Sequence, residues 1–356
     1  MMLMYLRHLT LQNFRSYPKA NFTFNKDTTI IVGPNTSGKS NFIESVYLLS
    51  LGKSFRTDKD TDMIAFEKDI ARVTGKTQDE TLQVLLTRGN VLGKKTQFKK
   101  FLVNNIPKRR VDFSARLKAV LFCPQDLDII NGSPHLRRRF LNEALEQMDR
   151  GYRQALITYE RALRQRNALL DLSREQGRRD EEQFLYWDES LIQSGQVLTE
   201  KREAFVHFLN GSTKTIFDFS VMYDKSIVSK ERLLQYKDAE VGVGNTLVGP
   251  HRDDISLSFF AKGLEERSIK HYGSRGQQRL AILQLKLLQL DFIEKTIGTR
   301  PMLLLDDIFS ELDSQHIHLV FSLLGKQQTI VTTTHKEFLT NEQKLDTSMI
   351  ELKTAE

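Results

Sequence analysis

Short segments of alternating or β-branched hydrophobic residues dominate the first 125 positions of the chain. Such segments are typical of strands, and polar turns separate them. One helix interrupts them, from about Ser40 to Leu51, where apolar residues recur at helical spacing. The pattern predicts an antiparallel meander beside a parallel sheet. The predicted strands lie near 4–11, 20–24, 28–32, 69–76, 81–87 and 96–103.

Helical periodicity begins after Ser133, a capping residue that is followed by proline. An apolar stripe predicts one helix over 134–172 and a second over 181–209. The polar segment 173–180 turns the chain between them, so the two helices are expected to form a hairpin roughly 45–60 Å long. The remaining predicted elements are strands near 216–223 and 241–260, a helix after Ser274, a strand at 302–305 and a final strand at 329–333.

The sequence contains a phosphate-binding loop. Residues 33–40 read GPNTSGKS and match G-x-x-x-x-G-K-[ST]. A β-branched run precedes the loop and a helix follows it, which is the arrangement that holds phosphate at a helix N-terminus. Lys39 is expected to place positive charge on the β- and γ-phosphates, and the Ser40 hydroxyl to ligate Mg²⁺. The predicted ATP-binding residues of the loop are Gly33, Pro34, Asn35, Thr36, Ser37, Gly38, Lys39 and Ser40.

A second motif supplies acidic residues. The run 302–305 is apolar throughout, as a central parallel strand buried on both faces should be. Asp306 at its end is expected to hold Mg²⁺, directly or through water. Asp307 follows and is the predicted catalytic residue, which orients or deprotonates the attacking water. Together the two motifs predict a protein that binds and hydrolyses a nucleoside triphosphate.

Length, composition and charge limit the class of protein further. With 356 residues, 40% of them hydrophobic, the chain is long enough for two lobes. A net charge of +7 is compatible with a nucleic-acid partner and equally with an ordinary basic protein. The single cysteine, Cys123, cannot form an internal disulfide. No apolar run approaches the length of a membrane span, so we expect a soluble, cytoplasmic protein.

The segment 272–279, YGSRGQQR, lies shortly before the acidic strand and opens a helix. It resembles the signature of ATP-binding-cassette (ABC) proteins. SELD at 310–313 resembles that class's D-loop, through Ser310 and Asp313, and His335 stands where the class has its switch histidine. The resemblance implies that two subunits meet head to tail, and that Ser274, Arg275, Gly276 and Gln277 contact the ATP bound to the partner. A hydroxyl and backbone amides at a helix N-terminus favour the charge of a γ-phosphate.

Over nearly its full length the chain resembles the RecF family, recombination-mediator ATPases related to the heads of SMC proteins. The resemblance rests on the phosphate loop and on LTLQNFRSY (9–17), LGKSFR (51–56), FCPQDL (122–127), GSP (132–134), RRRFL (137–141), GPHRDD (249–254), GQQR (276–279) and LLLDDIFSELD (303–313). It implies an α/β fold: an ABC-type P-loop ATPase head, with a mixed parallel core sheet plus an antiparallel sheet, and an α-helical second lobe.

The same resemblance implies the domain limits and the partners. Residues 1–125 and 240–356 are expected to form the ATPase core, and 126–239 the helical arm, with the signature helix near 274–297 packing with the arm. The implied activity is that of an ATP-dependent, DNA-stimulated ATPase that dimerises on duplex, gapped or single-stranded-junction DNA and helps to load recombinase with RecO and RecR. Arg15 is assigned to the ATP site, and Gln125 to Mg²⁺, on the same ground.

Three positions depart from the pattern of the wider class. The second acid is Asp307 where ABC proteins usually carry glutamate, so hydrolysis is expected to be slow because the shorter carboxylate reaches less far. Arg275 is a bulky basic residue inside the signature, and either contacts phosphate or DNA or points to solvent. Gln125 lies in a block where the family often has glutamate, which puts its metal role in doubt.

Two basic segments are candidate DNA contacts. One has no acidic residue and reads as a hairpin with interleaved phenylalanines; it either neutralises phosphates or protects an edge strand as solvated charge. The other is an arginine triplet at a helix start, where cations oppose the helix dipole, so ATP, DNA or a carboxylate should lie nearby. The candidate residues are Lys94, Lys95, Lys99, Lys100, Lys108, Arg109 and Arg110, and then Arg137, Arg138 and Arg139.

Two other functions share the nucleotide motifs. A transporter motor subunit has the phosphate loop, signature and acidic strand, but the long arm and the GPHRDD block argue against it. The ATPase head of a double-strand-break repair nuclease is the other alternative. Against it, the 150–210 hairpin lacks a long heptad run and the chain lacks a Cys-x-x-Cys zinc hook.

Overall fold

The computed structural model describes residues 5–114, 116–260, 265–308, 325–334 and 347–353. The chain divides into two compact units, Met1–Asp126 with Lys286–Glu356, and Leu127–Leu285. The strands in the described ranges are β1 (His8–Phe14), β2 (Tyr17–Thr23), β3 (Thr28–Val32), β4 (Ile70–Lys76), β5 (Thr81–Thr87), β6 (Asn90–Val91), β7 (Lys94–Lys95), β8 (Lys99–Val103), β9 (Ile106–Lys108), β10 (Ala119–Phe122), β11 (Ser220–Asp224), β12 (Asp254–Phe260), β13 (Glu266–Ser268), β14 (Met302–Asp306), β15 (Thr329–Thr333) and β16 (Thr347–Glu351).

The helices in the same ranges are α1 (Lys39–Leu51), α2 (Arg110–Phe113), α3 (Asp128–Asn131), α4 (Pro134–Met148), α5 (Arg150–Gln176), α6 (Glu181–Gly211), α7 (Lys230–Gln235), α8 (Lys237–Val243), α9 (Ile269–Tyr272) and α10 (Arg275–Ile297), with 3₁₀ turns at Asp60–Met63, Pro124–Leu127 and Pro250–Arg252. None of the described helices is long and apolar enough to cross a membrane.

The first unit contains both predicted sheets. The parallel sheet has the order β10-β14-β15-β3-β16, and every residue of β3, β14 and β15 is buried, which explains their apolar and β-branched sequences. The antiparallel meander has the order β2-β1-β4-β5-β8-β9. Fully buried side chains of β1, β4 and α1 share one hydrophobic core, among them Leu9, Leu11, Phe42, Val46 and Val73. The predicted pairing of two sheet types is confirmed.

The last strand was not predicted from the sequence. The predicted sheet ended at β15, but β16 pairs in parallel with β3 at the edge of the sheet. Its residues alternate between exposed and half-buried. Such a pattern carries no continuous apolar run, so the hydrophobic periodicity gave no signal for a strand beside buried neighbours.

In the second unit, the helix predicted over 134–172 is two helices. The break lies at Asp149, whose extended backbone ends α4 and whose Oδ1 accepts a hydrogen bond of 3.0 Å from the Tyr152 amide to cap α5. The apolar stripe runs through the break, so periodicity alone could not locate it. Helices α5 and α6 have 27 and 31 residues, about 40 and 46 Å of helix, and form the predicted hairpin.

The predicted strand over 241–260 is also wrong in its first half. Only β12 is a strand, and it pairs antiparallel with β11 and β13. The chain before it forms α8 and a 3₁₀ turn, separated by Gly244 and Gly249, both with positive φ, at 70° and 125°. The second unit extends to Leu285, beyond the 239 limit placed on the arm, because β11 and β12 pair within it; the boundary falls inside α10.

Candidate nucleotide-binding site

The phosphate loop connects β3 to α1. Gly38 caps α1 in the left-handed region, with φ of 93°, and a Cβ there would lie 2.9 Å from the Tyr17 hydroxyl oxygen. A Cβ on Gly33 would lie 2.5 Å from Ser37 Oγ. Pro34, Asn35 and Thr36 are exposed at the turn. The two glycines are therefore required by the chain itself, and the loop forms the open cradle that a phosphate needs.

Lys39 is folded back onto this loop. Its Nζ donates hydrogen bonds to the backbone oxygens of Gly33, at 2.8 Å, and Pro34, at 2.9 Å. Burial lowers the pKa of Lys39, while the nearby charges of Asp307 and Asp306 act in the opposite direction. Among the described residues the ammonium thus has only backbone hydrogen-bond partners at the loop, and a phosphate oxygen there would give it a charged partner.

The two acids stand at the carboxyl end of β14. Asp306 is 4% exposed, and Thr332 on the adjacent β15 donates its hydroxyl to Asp306 Oδ1 at 2.7 Å. Asp307 has a φ of 51°, and its amide donates to Thr332 O at 3.2 Å and to Thr332 Oγ1 at 3.1 Å. Aspartate tolerates the left-handed region better than most residues, which suits Asp307 to this backbone conformation.

Arg15 is engaged by groups of its own chain. Its Nε and Nη2 donate to the two carboxylate oxygens of Glu44 at 2.8 and 2.7 Å, and its Nη1 donates to Asp62 O at 2.7 Å. Glu44 lies on α1 and is fully buried; Ser54 donates to it and Arg56 lies 3.5 Å away. The assignment of Arg15 to ATP stays a prediction. Glu44 was not predicted from the sequence. The sequence marks it only as an acidic residue among the mostly apolar residues of α1.

The structure gives less information on the other predicted metal-binding and catalytic residues. Gln125 is exposed in the turn before α3, and its neighbour Asp126 accepts the Cys123 amide and pairs with Lys286 at 2.7 Å. The metal role of Gln125 stays a prediction. His335, Ser310 and Asp313 lie outside the described residues.

The signature segment forms an exposed helix start. Ser274 Oγ accepts from the Gln277 amide at 3.2 Å, and Gln277 Oε1 accepts from the Ser274 amide at 2.8 Å, a reciprocal capping box. Ser274, Arg275 and Gly276 are exposed. A Cβ on Gly276 would meet Ser274 Oγ at 3.9 Å, an ordinary contact, so nothing in the described parts of this chain requires glycine there.

The basic hairpin divides into accessible and engaged lysines. Lys94, Lys95, Lys100 and Lys108 are exposed, as is Arg109, and within the described ranges these five have no ion pair. Arg110 is half-buried at the start of α2. Lys99 instead pairs with Asp60 and donates to Gly52 O at 3.1 Å, and burial lowers its pKa against the opposing effect of Asp60. Lys99 is therefore a structural residue, unlike its neighbours.

The arginine triplet is held by two carboxylates and one backbone oxygen. Arg137 donates from Nε and Nη2 to the two oxygens of Asp254, at 2.6 and 2.9 Å, and Arg139 pairs with Glu143 at 2.7 Å. Arg138 donates to the Asp253 backbone oxygen at 2.8 Å. Of the three partners left open by the sequence, the structure supplies a carboxylate to Arg137 and Arg139. All three arginines have a hydrogen-bond or ion-pair partner within the second unit.

The GPHRDD block lies in a buried polar network. Asp253 is fully buried and accepts from Arg202 Nη1 at 2.8 Å, from the Ser226 amide at 2.7 Å and from the Tyr223 hydroxyl. His251 Nδ1 accepts from the Tyr159 hydroxyl at 2.7 Å, and its Nε2 lies 3.1 Å from Thr246 O. These partners fasten the loop before β12 to α5 and α6, so the block is structural within this unit.

A parallel sheet with a phosphate loop after β3 and acids after β14, joined to an antiparallel sheet and a helical segment, defines an ABC-type ATPase head. Residues 5–354 match the family model described as RecF/RecN/SMC N terminal domain, and the chain belongs to this family. Its site and family make it an ATPase.

Individual relatives and solved structures agree with this family assignment. The chain is 33% identical to the DNA replication and repair protein RecF of Oceanobacillus iheyensis, over 95% of this chain and 96% of that protein. It is similar to a structure of the recombination mediator protein RecF-ATP in the RecFOR pathway, with a TM-score of 0.87, 26% identity, and 99% and 97% of the two chains covered. A structure of RecF-ATPrS gives a TM-score of 0.82 at 28% identity, with 94% of each chain covered.

Proposed function

We propose that this protein is an ATP-dependent DNA-binding ATPase of replication and recombinational repair. ATP binding joins two copies head to tail on duplex-containing DNA at gaps or junctions, and slow hydrolysis releases them. RecO and RecR are the proposed partners in loading recombinase. The names of the full-length relatives and the ATP-bound neighbours support this assignment.

The observation that carries the proposal is the exposed glycine of the signature. Gly276 has room for a side chain within the described parts of its own chain, and the capping box presents Ser274 and the first turn of α10 to solvent. Glycine is also found where a ligand approaches the backbone closely, and this explains a glycine that its own chain does not require. The positive end of a long helix favours an anion. The triphosphate bound to a second copy satisfies both conditions.

The oxygen donors of the phosphate loop and of the acidic strand suit Mg²⁺. Ser40 supplies a hydroxyl at the start of α1 and Asp306 a buried carboxylate, both hard oxygen ligands. Bound Mg²⁺ supplies neutralising charge for the phosphates. Lys39 binds phosphate oxygens, Thr332 orients Asp306, and Asp307 orients or deprotonates the attacking water.

Mixing two inactive variants tests the shared site. Lys39→Met removes the phosphate-binding charge, and Gly276→Asp places a repelling carboxylate at the signature while its own fold has space for it. Each variant alone should lack ATPase activity. In a mixed dimer, one site combines an intact loop with an intact signature, so an equal mixture should regain roughly a quarter of wild-type activity. A mixture that stays inactive would show that the sites are not shared between copies.

DNA anisotropy tests the rest of the function. Labelled duplex, gapped and single-stranded DNA are titrated with protein, with and without ATP and Mg²⁺. Wild-type binding should strengthen with ATP, Lys39→Met should lose the response, and Asp307→Asn should bind ATP and remain dimeric. Absence of DNA binding in every state would favour a transporter-type motor subunit.

A further inference from the structure

The ribbon formed by β6 and β7 carries an exposed leucine at its tip. Asn90 pairs with Lys95 and Val91 with Lys94, which leaves Leu92 and Gly93 as the two turn residues. Both have positive φ, at 50° and 77°, as a type I′ hairpin turn requires. Leu92 is 94% exposed.

Leucine is a poor residue for this position on local grounds. Non-glycine residues avoid the left-handed region, and asparagine followed by glycine is the favoured pair in such turns. An almost fully exposed leucine gains no burial that would offset the strain. A residue that adopts an unfavourable backbone conformation without gaining burial in return is characteristic of a functional position. Such a position suits a contact outside its own chain.

The surroundings of Leu92 are strongly cationic. No aspartate or glutamate occurs between positions 81 and 111. Arg88, Lys94, Lys95 and Lys100 are exposed around the ribbon, and the nearby Asp60 is already paired with Lys99. The tip is thus a single apolar side chain in a positive field. That combination fits duplex DNA, which carries negative phosphates outside and stacked, apolar base faces that a side chain reaches through a groove.

We infer that Leu92 enters the minor groove of bound duplex DNA while Lys94 and Lys95 contact the flanking phosphates. The inference rests on the proposed DNA binding and assigns it a contact. Apolar side chains at the ends of ribbons and wedges insert between base steps, and lysines supply the attraction that is independent of sequence. One leucine among polar neighbours such as Asn90 buries too little area to anchor the chain in a membrane.

The substitution Leu92→Asn separates folding from binding. It removes the apolar group and installs the favoured Asn-Gly turn, so the variant should be at least as stable as the wild type on thermal denaturation. Its dissociation constant for duplex DNA, measured with ATP and Mg²⁺, should rise about tenfold, because a buried leucine contact is lost. The dependence of binding on salt should not change. In Lys94→Gln, the negative slope of log affinity against log salt should instead shrink in magnitude by about 0.9.

A fluorescent base analogue in the duplex reports on insertion. Wild-type protein should raise its fluorescence by unstacking it, and Leu92→Asn should not. Leu185→Asn is the matched control, since Leu185 is an exposed leucine on α6, and it should bind as the wild type does. Wild-type affinity and fluorescence response in Leu92→Asn would overturn the inference while leaving the proposed function intact. Failure of the wild type to bind any DNA would remove both.

Discussion

The Thr332 hydroxyl oxygen is hydrogen-bonded both to the Asp306 carboxylate and to the Asp307 backbone amide. The hydroxyl donates to Asp306 Oδ1 at 2.7 Å and accepts from the Asp307 amide at 3.1 Å, and Thr332 is directly opposite Asp306 in the parallel pairing of β14 and β15. The side chain is fully buried. A residue on the neighbouring strand therefore orients the carboxylate expected to bind Mg²⁺.

Thr332→Val keeps the β-branched shape and removes this oxygen. We expect kcat for ATP hydrolysis to fall by about 10- to 100-fold, as for other residues that orient metal ligands. Steady-state ATPase assays over a range of Mg²⁺ concentrations measure the change. Thr29→Val is the control, because Thr29 is also fully buried but its hydroxyl bonds to Ser348. Equal losses in the two variants would indicate a general packing effect.

The two adjacent lysines of β8 should behave differently. Lys100→Gln removes an exposed charge, so it should reduce the magnitude of the negative slope of log DNA affinity against log salt by about 0.9 with little change in stability. Lys99→Gln breaks the Asp60 pair and the bond to Gly52 O, so it should lower stability by about 1 kcal/mol with little effect on the slope. Salt titrations and denaturation curves measure the two effects. Equal slopes for both variants would refute the structural assignment of Lys99.

Arg137 should matter for the second unit rather than for DNA. Arg137→Gln leaves the Asp254 carboxylate without its two-point partner, so the free energy of unfolding should fall by about 2 kcal/mol. DNA affinity should be unchanged. Asp254→Asn and the double variant complete a double-mutant cycle, in which the losses should be less than additive. Weaker DNA binding at unchanged stability would return the arginine triplet to the DNA candidates.

His251 should make stability depend on pH. Burial lowers its pKa from 6.5 to about 4, with Arg252, Arg138 and Arg166 acting in the same direction and the Thr246 backbone oxygen opposing them. Because the folded pKa lies below the unfolded one, the unfolded state binds the proton first, and stability is lost as pH falls from about 6.5 toward 4.

The measurement is chemical denaturation at two pH values. From about pH 7 to about pH 5, the wild type should lose about 2 kcal/mol more than His251→Gln, which does not titrate. The variant should start from lower stability, since it perturbs the bonds to Tyr159 and Thr246. Parallel pH profiles for the two proteins would contradict a lowered pKa of His251.

The chemistry of the nucleotide site follows from contiguous residues. The phosphate loop with Lys39 and Ser40, and the strand that ends in Asp306, were predicted from sequence because each motif is local: a short run determines both the backbone shape and the side chains it presents. The same holds for α6 and for the meander, whose periodicity is strong. Asp149 shows where prediction from periodicity fails: the apolar stripe continues across the break between α4 and α5, so the sequence pattern does not reveal the break.

The long-range partners of the charged residues were decided by tertiary structure. Arg15 meets Glu44 across 29 positions, Arg202 meets Asp253 across 51, and Arg137 meets Asp254 across 117. A charge in a sequence attracts any opposite charge, and only the fold determines which one is near enough and buried enough to bind it. By itself the sequence determined that this chain is a nucleotide-hydrolysing member of its family. The structure decided which of its cations are committed to internal partners and which remain at the surface.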